Sequence, residues 1–504
     1  MSSNEIDSPL VEDGDDQWDI AEPRADALIE SLRSFGYSPE TAIADLLDNS
    51  ISAGARSVDV TFTWNGSDSS ISVADDGRGM SAHALYSAMR LGSTSPLAAR
   101  AESDLGRFGL GLKTASFSQA RELTVQSRAS DGELAVRRWD LDFVAANNRW
   151  QLLRTAPDQL DAGALPKSRG TVVTWTKCDR LVGAADVTDH KAQTRFNETA
   201  RRVGHHLAAT FHRFMVGRGK ITIRLNGVQL EPWDPFLEVH PATQNLGSEV
   251  LPLAGRVVVV TPFVLPHRSK LNASEQDTGA GARGWNQQQG FYLYRGNRLL
   301  VQGDWLGLGF ARDEHAKLAR IRIDFPSALD HEWQVDVKKS SARAPGSLAP
   351  DLKRIASAAR RQAEEVYRHR GKVMVRRTSQ EFVLAWHQVK TRDGEIRYQI
   401  NRKHPAILGL LEMTENVKVV ERALRFIEET IPTTLIGVSI ADALDQQPAP
   451  FSHSRPELGS LLELMLEGLL GDGMDRDEAV GRIAAAEPFI NYPEVIQAFR
   501  EKIA

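Results

Sequence analysis

The stretch VDVTFTWNGSDSSISVADDGRGM (58–80) decides the fold class. Val58, Val60, Phe62 and Trp64 alternate with polar residues, the pattern of a strand with one buried face. Asn65-Gly66 suits a hairpin turn, and a second strand runs from Ser70 to Ala74. The two strands therefore pair antiparallel. Doubly wound parallel sheets join their strands through helices, so this hairpin argues for an α/β sandwich instead. The second strand ends in Asp75-Asp76-Gly77-Arg78-Gly79-Met80. Two glycines there let the backbone approach a flat ligand, and a fixed carboxylate can accept a hydrogen bond from an exocyclic amine. Taken alone, the same residues also describe a tight turn.

Just upstream, Ser38-Pro39-Glu40-Thr41 reads as a helix start, with a serine cap and proline in the first turn. The helix ETAIADLLDNSISAGA (40–55) puts Ile43, Leu46 and Leu47 on an apolar stripe. Asp45 and Asn49 stand four residues apart and share another face, where they can serve one water and one Mg²⁺ together. A solvated polar face is the plain alternative. A further helix precedes it, with Leu28, Ile29, Leu32 and Phe35 on one side and Gly36 as its stop.

Downstream, Gly106-Arg107-Phe108-Gly109-Leu110-Gly111-Leu112-Lys113 precedes helical sequence. Glycines so spaced present bare N–H groups to an anion beside a helix amino terminus. The spacing fits neither a Walker loop nor a dinucleotide fingerprint. Strands are expected at 121–128, 133–141, 149–154 and 170–176, and Gly170-Thr171 opens the last of these. A helix at 190–216 leads to a second strand-rich region at 221–225, 257–263, 291–294 and 321–325. The polar, glycine-rich stretch 266–289 is expected to be an exposed loop. A helix at 349–370, a hairpin over 382–401 turned at Asp393-Gly394, and amphipathic helices such as 457–470 follow.

The 504 residues are 41% hydrophobic and 25% charged, a globular composition predicting about three domains. No apolar run reaches the roughly 20 residues of a membrane span. The single cysteine, Cys178, excludes an internal disulfide and a thiolate metal cluster. With an acidic opening segment that lacks a secretory pattern, it makes a reducing cytoplasm the expected compartment. A net charge of −5 argues against a protein that coats nucleic acid with its whole surface, yet permits one basic face. His205, His206 and His212 lie on a helix without the partners of a zinc site.

Four elements in one order, namely the Asp-x-x-x-Asn helix, the Asp-x-Gly-x-Gly turn, the glycine-rich loop ending in lysine and the Gly-Thr strand, resemble the GHKL ATPase superfamily. That superfamily covers gyrase, the ninety-kilodalton heat-shock chaperone, histidine kinases and MutL. "AIADLLDNSISAGA", "VADDGRGM" and "GRFGLGLKTAS" look closest to its MutL and Microrchidia (MORC) branch. The resemblance implies an α+β chain: a Bergerat-type α/β sandwich that binds ATP (23–185), a βαβ transducer domain (186–345), and a mostly helical carboxyl-terminal region (378–504). An acidic tail (1–22) precedes them, and a basic helix or linker (346–377) joins the last two.

It further implies roles. Asn49 would hold Mg²⁺ and Asp75 would accept the adenine amino group. Gly77 and Gly79 would line adenine and ribose, with Met80 packing near the base. Gly106, Arg107, Phe108, Gly109, Leu110, Gly111 and Lys113 would close over the triphosphate, in a lid beginning near Gly92-Ser93-Thr94. Thr171 would bind a water bridging Asp75 to adenine. Asp45 stands where the family has a glutamate general base; one methylene shorter, it implies slow hydrolysis or none. Ser52 likewise replaces an acid.

YRGNRLLVQGDW (294–305) resembles MORC transducers, and Trp333-Gln334-Val335-Asp336-Val337-Lys338-Lys339 resembles the loop that sends a lysine to the γ-phosphate. Lys339 is the first choice for that lysine, Lys338 the second. Lys353, Arg354, Arg360, Arg361, Arg368, Arg370, Lys372, Arg376 and Arg377 form a basic span. It suits DNA phosphates, or equally the acidic tail or another subunit. The implied function is an ATP-operated switch that dimerises and acts on DNA or a DNA-processing partner, with prokaryotic genome defence as an implied setting, a protein effector and no membrane attachment. A heat-shock-type chaperone and a non-hydrolysing ATP-gated clamp are the alternatives. A sensor kinase is disfavoured because the first histidine, His83, falls inside the ATP domain.

Overall fold

The computed structural model describes residues 23–34, 36–92, 111–130, 132–157, 169–336, 341–368, 383–390, 396–432, 451, 457–489 and 492–503. They form two units, divided between Glu364 and Glu365, and the fold is α+β. Among the described residues, no helix is long and apolar enough to cross a membrane.

The first unit opens with α1 (Ala25–Arg33) and α2 (Pro39–Ser52). As expected, the Ser38 side chain accepts from the Thr41 N–H and Pro39 occupies the first turn of α2. The hairpin follows as β1 (Ser57–Thr63) and β2 (Ser70–Asp75), with Gly66 turning at φ +57°. Val58, Val60 and Phe62 of β1 are buried. Then come α3 (Ala82–Met89), α4 (Gly111–Phe117), β3 (Glu122–Arg128), β4 (Ala135–Asp140), α5 (Leu141–Asn147) and β5 (Gly170–Thr176). The expected strand at 149–154 is reduced to a single bridge, in which Leu153 returns after α5 to pair with Arg138 of β4.

After α6 (Asp179–Val182) and the long α7 (His190–Thr210) the chain returns to the same sheet as β6 (Thr222–Leu225) and β7 (Val228–Gln229). The strand order is β4-β3-β5-β2-β1-β6-β7. Only β1 and β6 run parallel; the other neighbours are antiparallel. This sheet thus draws its last two strands from beyond residue 185, since α7 crosses back to place β6 beside β1. Its core includes Ile43, Leu46 and Leu47 of α2 and Phe196, Val203 and Leu207 of α7.

A second sheet is built from β8 (Gln244–Asn245), β9 (Glu249–Leu253), β10 (Arg256–Val264), β11 (Gly290–Arg295), β12 (Arg298–Asp304) and β13 (Ala319–Phe325). Its order is β12-β11-β13-β10-β8, with β9 paired to β10, and β11 runs parallel to β13. The segment 266–289, expected to be a loop, contains α8 (Ala273–Ala280). A capping box creates that helix: Asn272 accepts from the Glu275 N–H while the Glu275 carboxylate accepts from the Asn272 N–H. Composition concealed this signal. Finally, α9 (Ala349–Arg368) buries Leu352, Ile355, Ala356 and Ala359.

The second unit contains the hairpin β14 (Trp386–Lys390) and β15 (Ile396–Ile400) and the helices α10 (Pro405–Glu412), α11 (Val417–Glu429), α12 (Glu457–Gly471), α13 (Arg476–Ala484) and α14 (Pro493–Ile503). Asn401-Arg402-Lys403-His404-Pro405 links hairpin to helices and has a structural explanation. Arg402 pairs with Glu421 at 3.2 Å and Glu428 at 2.5 Å. His404 caps α10, and its Nε2 lies 2.9 Å from the Glu487 carbonyl oxygen.

Candidate functional site

Helix α2 is buried almost throughout: residues 42–48 and Ser50 are covered, whereas Asn49 is exposed between them. A helix so enclosed presents one carboxamide to the open side, where it can reach a hard cation that keeps most of its waters. Asp45, one turn earlier, is only 3% exposed. The Tyr37 hydroxyl donates to its Oδ2 at 3.1 Å, and Arg298 Nη2 lies 3.7 Å from its Oδ1. Burial and the Asp45 carboxylate together push the Tyr37 phenol well above its ordinary value, so it remains a donor. Glu40 is occupied elsewhere, accepting from Arg202 at 2.8 Å.

At the end of β2 the two neighbouring aspartates separate by function. Asp76 turns outward and accepts from the backbone N–H groups of Arg56 (2.6 Å) and Ser57 (2.9 Å). Asp75 turns to the site: its Oδ2 accepts from the Ser50 hydroxyl at 2.9 Å and its Oδ1 from the Gly77 N–H at 2.9 Å. Burial raises the Asp75 carboxyl, while the donors at Gly77, Ser50 and Thr171 favour its ionised form. An ionised carboxylate offers about four acceptor positions, so these three donors leave capacity for an incoming amine.

The glycines of this turn answer first to the protein itself. A Cβ on Gly79, at φ +64°, would lie 1.8 Å from the Arg128 carbonyl oxygen of β3. One on Gly77 would lie 2.9 Å from both the Ala53 Cβ and Asp75 Oδ1. The turn is therefore pressed between α2 and β3, and the flat surface it offers is backbone.

Thr171 is the register partner of Asp75. Its hydroxyl is 2.8 Å from Ser127 Oγ, which also accepts from the Met80 N–H at 2.8 Å and donates to the Gly170 carbonyl at 3.1 Å. Ser127 thus ties the glycine turn to the Gly-Thr strand. Sequence reasoning missed it, because in the strand ELTVQSR nothing sets this serine apart from its polar neighbours. It also missed Ser50, the residue after Asn49, and Arg298.

Gly111 stands at the start of α4, and a Cβ there would lie 3.4 Å from Asp45 Oδ2. Lys113, expected over the triphosphate, is buried; its Nζ donates to the Ala88 carbonyl at 2.9 Å, and burial lowers its ammonium to about 8. Here it ties α4 to α3. Gly106, Arg107, Phe108, Gly109, Leu110, Lys338 and Lys339 lie outside the described residues. Of the implied site, the structure brings together Asp45, Asn49, Asp75, Gly77, Gly79, Met80, Gly111 and Thr171 around α2, the β2 end and the β5 start. The donor set fits Mg-ATP: an acceptor for an amine, bare backbone beside it, and an exposed carboxamide for the metal.

The basic helix is only partly open to a polyanion. Arg354 pairs with Glu249 and Asp351 at 2.6 and 3.3 Å. Arg360 donates to the Ala311 carbonyl and lies over the rings of Trp305 and Phe310 at 5.1 and 5.3 Å. Lys353 and Arg361 are exposed. The bases from 369 to 377 lie outside the described residues. Two of the three histidines are packing residues, His205 being exposed: burial lowers His206 to about 4 and His212 to about 3, and His212 Nε2 is 2.8 Å from the Tyr294 hydroxyl. Among the described residues no cluster of three or more His, Cys, Asp or Glu side chains is placed to hold a metal ion. Cys178 is buried, which pushes its thiol up to about 12.

Residues 37–171 match the family of histidine kinase-, DNA gyrase B- and HSP90-like ATPases. Over 92 residues the chain is 40% identical to the DNA mismatch repair protein MutL of Halobacterium salinarum, covering 18% of this chain and 14% of that one. It is 37% identical over 105 residues to MutL of Rhizorhabdus wittichii, covering 20% and 17%. To the ATPase morc-1 of Caenorhabditis elegans it is 29% identical over 123 residues, covering 24% and 14%. The matches thus span about a sixth of these relatives' lengths. Residues 37–171 are thus similar to the GHKL ATPases, with MutL and MORC proteins among the relatives they match.

Proposed function

We propose that this chain binds Mg-ATP between α2 and the Asp75–Met80 turn and hydrolyses it slowly, using ATP occupancy as a conformational switch. The Asp75 carboxylate, oriented by Ser50 and Gly77, carries the reading. It accepts the adenine amine and disfavours guanine, which presents a carbonyl at that edge. Asn49 takes the metal, and bound Mg²⁺ supplies charge neutralisation at the phosphates. Asp45 holds the attacking water's proton at a carboxylate oxygen, and its short side chain keeps the rate low. Lys339, or Lys338 beside it, meets the terminal phosphate; Gly106 to Leu110, with Gly111, close over the chain of phosphates.

Nucleotide-dependent homodimerisation, work on DNA or on a DNA-processing partner, a protein effector and a cytoplasmic setting complete the proposal, with genome defence as its biological frame. The similarity to MutL, a DNA mismatch repair protein, supports the DNA-directed part. A second reading is an ATP-gated clamp that does not hydrolyse, and one observation favours it: Asp45 is already engaged by Tyr37 and Arg298.

Steady-state turnover of the unaltered protein, Asp45→Ala and Asp45→Glu separates the two. Hydrolysis predicts loss in Asp45→Ala and a gain in Asp45→Glu. Equal turnover in Asp45→Ala removes Asp45 as base. Binding without turnover in all three identifies the clamp.

A further inference from the structure

The hairpin Tyr294-Arg295-Gly296-Asn297-Arg298 joins β11 to β12 and sends two buried arginines in different directions. Arg295 pairs with Asp330 at 2.9 Å inside its own sheet region. Arg298 leaves that sheet for α2: its Nε donates to Asp48 Oδ1 at 2.8 Å, and its Nη2 lies 3.7 Å from Asp45 Oδ1. Arg298 and Asp48 are 2% and 0% exposed, and the guanidinium also lies 5.8 Å from the Phe211 ring. One cation thus spans two carboxylates three residues apart on the ATP-site helix, from a strand 250 positions later. Two buried carboxylates at that spacing repel unless a cation lies between them.

We propose that Arg298 is a positioning residue for hydrolysis: anchored on Asp48, it sets the place of the Asp45 carboxylate and makes that place depend on the second sheet. The inference rests on the reading of Asp45 as the base. Geometry alone supports the coupling. A planar guanidinium fixes two acceptors at once, as a flexible ammonium does not. Among the described residues the contacts of Arg298 run to Asp45, Asp48, the Leu299 carbonyl and the Phe211 ring, on the side of the base and away from Asp75 and Asn49. Any displacement of β12 carries the guanidinium with it, and the carboxylate responds because a small misplacement of a reacting group costs rate steeply. Among the described residues, Tyr37 donates to Asp45, and His206 of α7 feels the charges of Arg298, Glu40 and Asp48.

The test is a comparison of kcat and KM with ATP binding in the full chain. Arg298→Met is expected to lower kcat about 100-fold, with an ATP dissociation constant unchanged within about threefold. Arg298→Lys, which keeps the charge and loses the fork, is expected to fall between the two. Where Arg298→Met does not fold, Arg298→Lys carries the test with a loss of about tenfold in kcat at constant KM. Parallel loss of affinity and kcat assigns Arg298 a merely structural role and overturns the proposal, as does unchanged kcat in both variants. An unaltered protein that shows no turnover overturns the hydrolysis reading and this one together. Turnover in it with insensitive variants overturns this one alone.

Discussion

The Ser50 hydroxyl donates to Asp75 Oδ2 at 2.9 Å, linking the residue after the exposed Asn49 to the carboxylate that ends β2. The helix that offers the metal ligand therefore also orients the group that reads the base. Removing the hydroxyl leaves Asp75 in place with one donor fewer. A hydrogen bond to a charged group contributes about 1.5–3 kcal/mol. Ser50→Ala should weaken ATP binding roughly tenfold by calorimetry, with an unchanged preference for ATP over GTP. Unchanged affinity would show that Asp75 needs no help from α2.

Gly79 and Gly54 separate packing from backbone strain. Both have positive φ, +64° and +74°, but a Cβ meets the Arg128 carbonyl at 1.8 Å in the first and nothing within 4 Å in the second. Gly54→Ala should cost about 1–2 kcal/mol from conformation alone. Gly79→Ala adds overpacking of about 1–3 kcal/mol and should detach the turn from β3. Denaturant unfolding checks the order; equal losses would mean that the turn moves freely.

His206 and His212 predict the acid limb of stability. Burial lowers them from 6.5 to about 4 and about 3, so the folded state binds protons later than the unfolded chain. Their contribution is fully present above pH 6.5 and is lost as pH falls through the folded values. The melting temperature should therefore drop between pH 6.5 and 3, and His206→Gln should flatten that slope. An identical slope in the variant would mean that other groups govern acid unfolding.

On α9 the arginines are not equivalent. Arg360 packs against Trp305 and Phe310, whereas Lys353 and Arg361 face solvent. Lys353→Ala with Arg361→Ala should reduce DNA retention at every salt concentration and lower the salt slope by roughly 2. Arg360→Ala should instead lower the melting temperature. A salt slope untouched by the double variant would exclude α9 as a phosphate reader.

Much of this architecture was legible because it is local. Strict alternation at Val58, Val60 and Phe62, with Asn65-Gly66 between two strands, specifies a hairpin by itself. Ser38-Pro39 likewise announces α2. What stayed hidden depends on distant partners. Nothing near Arg298 says that it crosses to Asp48, and nothing near Lys113 says that its ammonium meets the Ala88 carbonyl of α3. Ser127 gathers Met80, Gly170 and Thr171 only once three strands are aligned. The helix at 273–280 was overlooked for a different reason: its capping box was present, but glycine-rich surroundings outweighed it.

The central claim is that the Asp75 carboxylate recognises the adenine of a magnesium-bound triphosphate. Titration calorimetry with Mg-ATP and Mg-GTP, on the unaltered chain and on Asp75→Asn, tests it most directly. The account predicts saturable heat from Mg-ATP with the unaltered chain only, and little from Mg-GTP. No heat from Mg-ATP, or equal binding by Asp75→Asn, would contradict it.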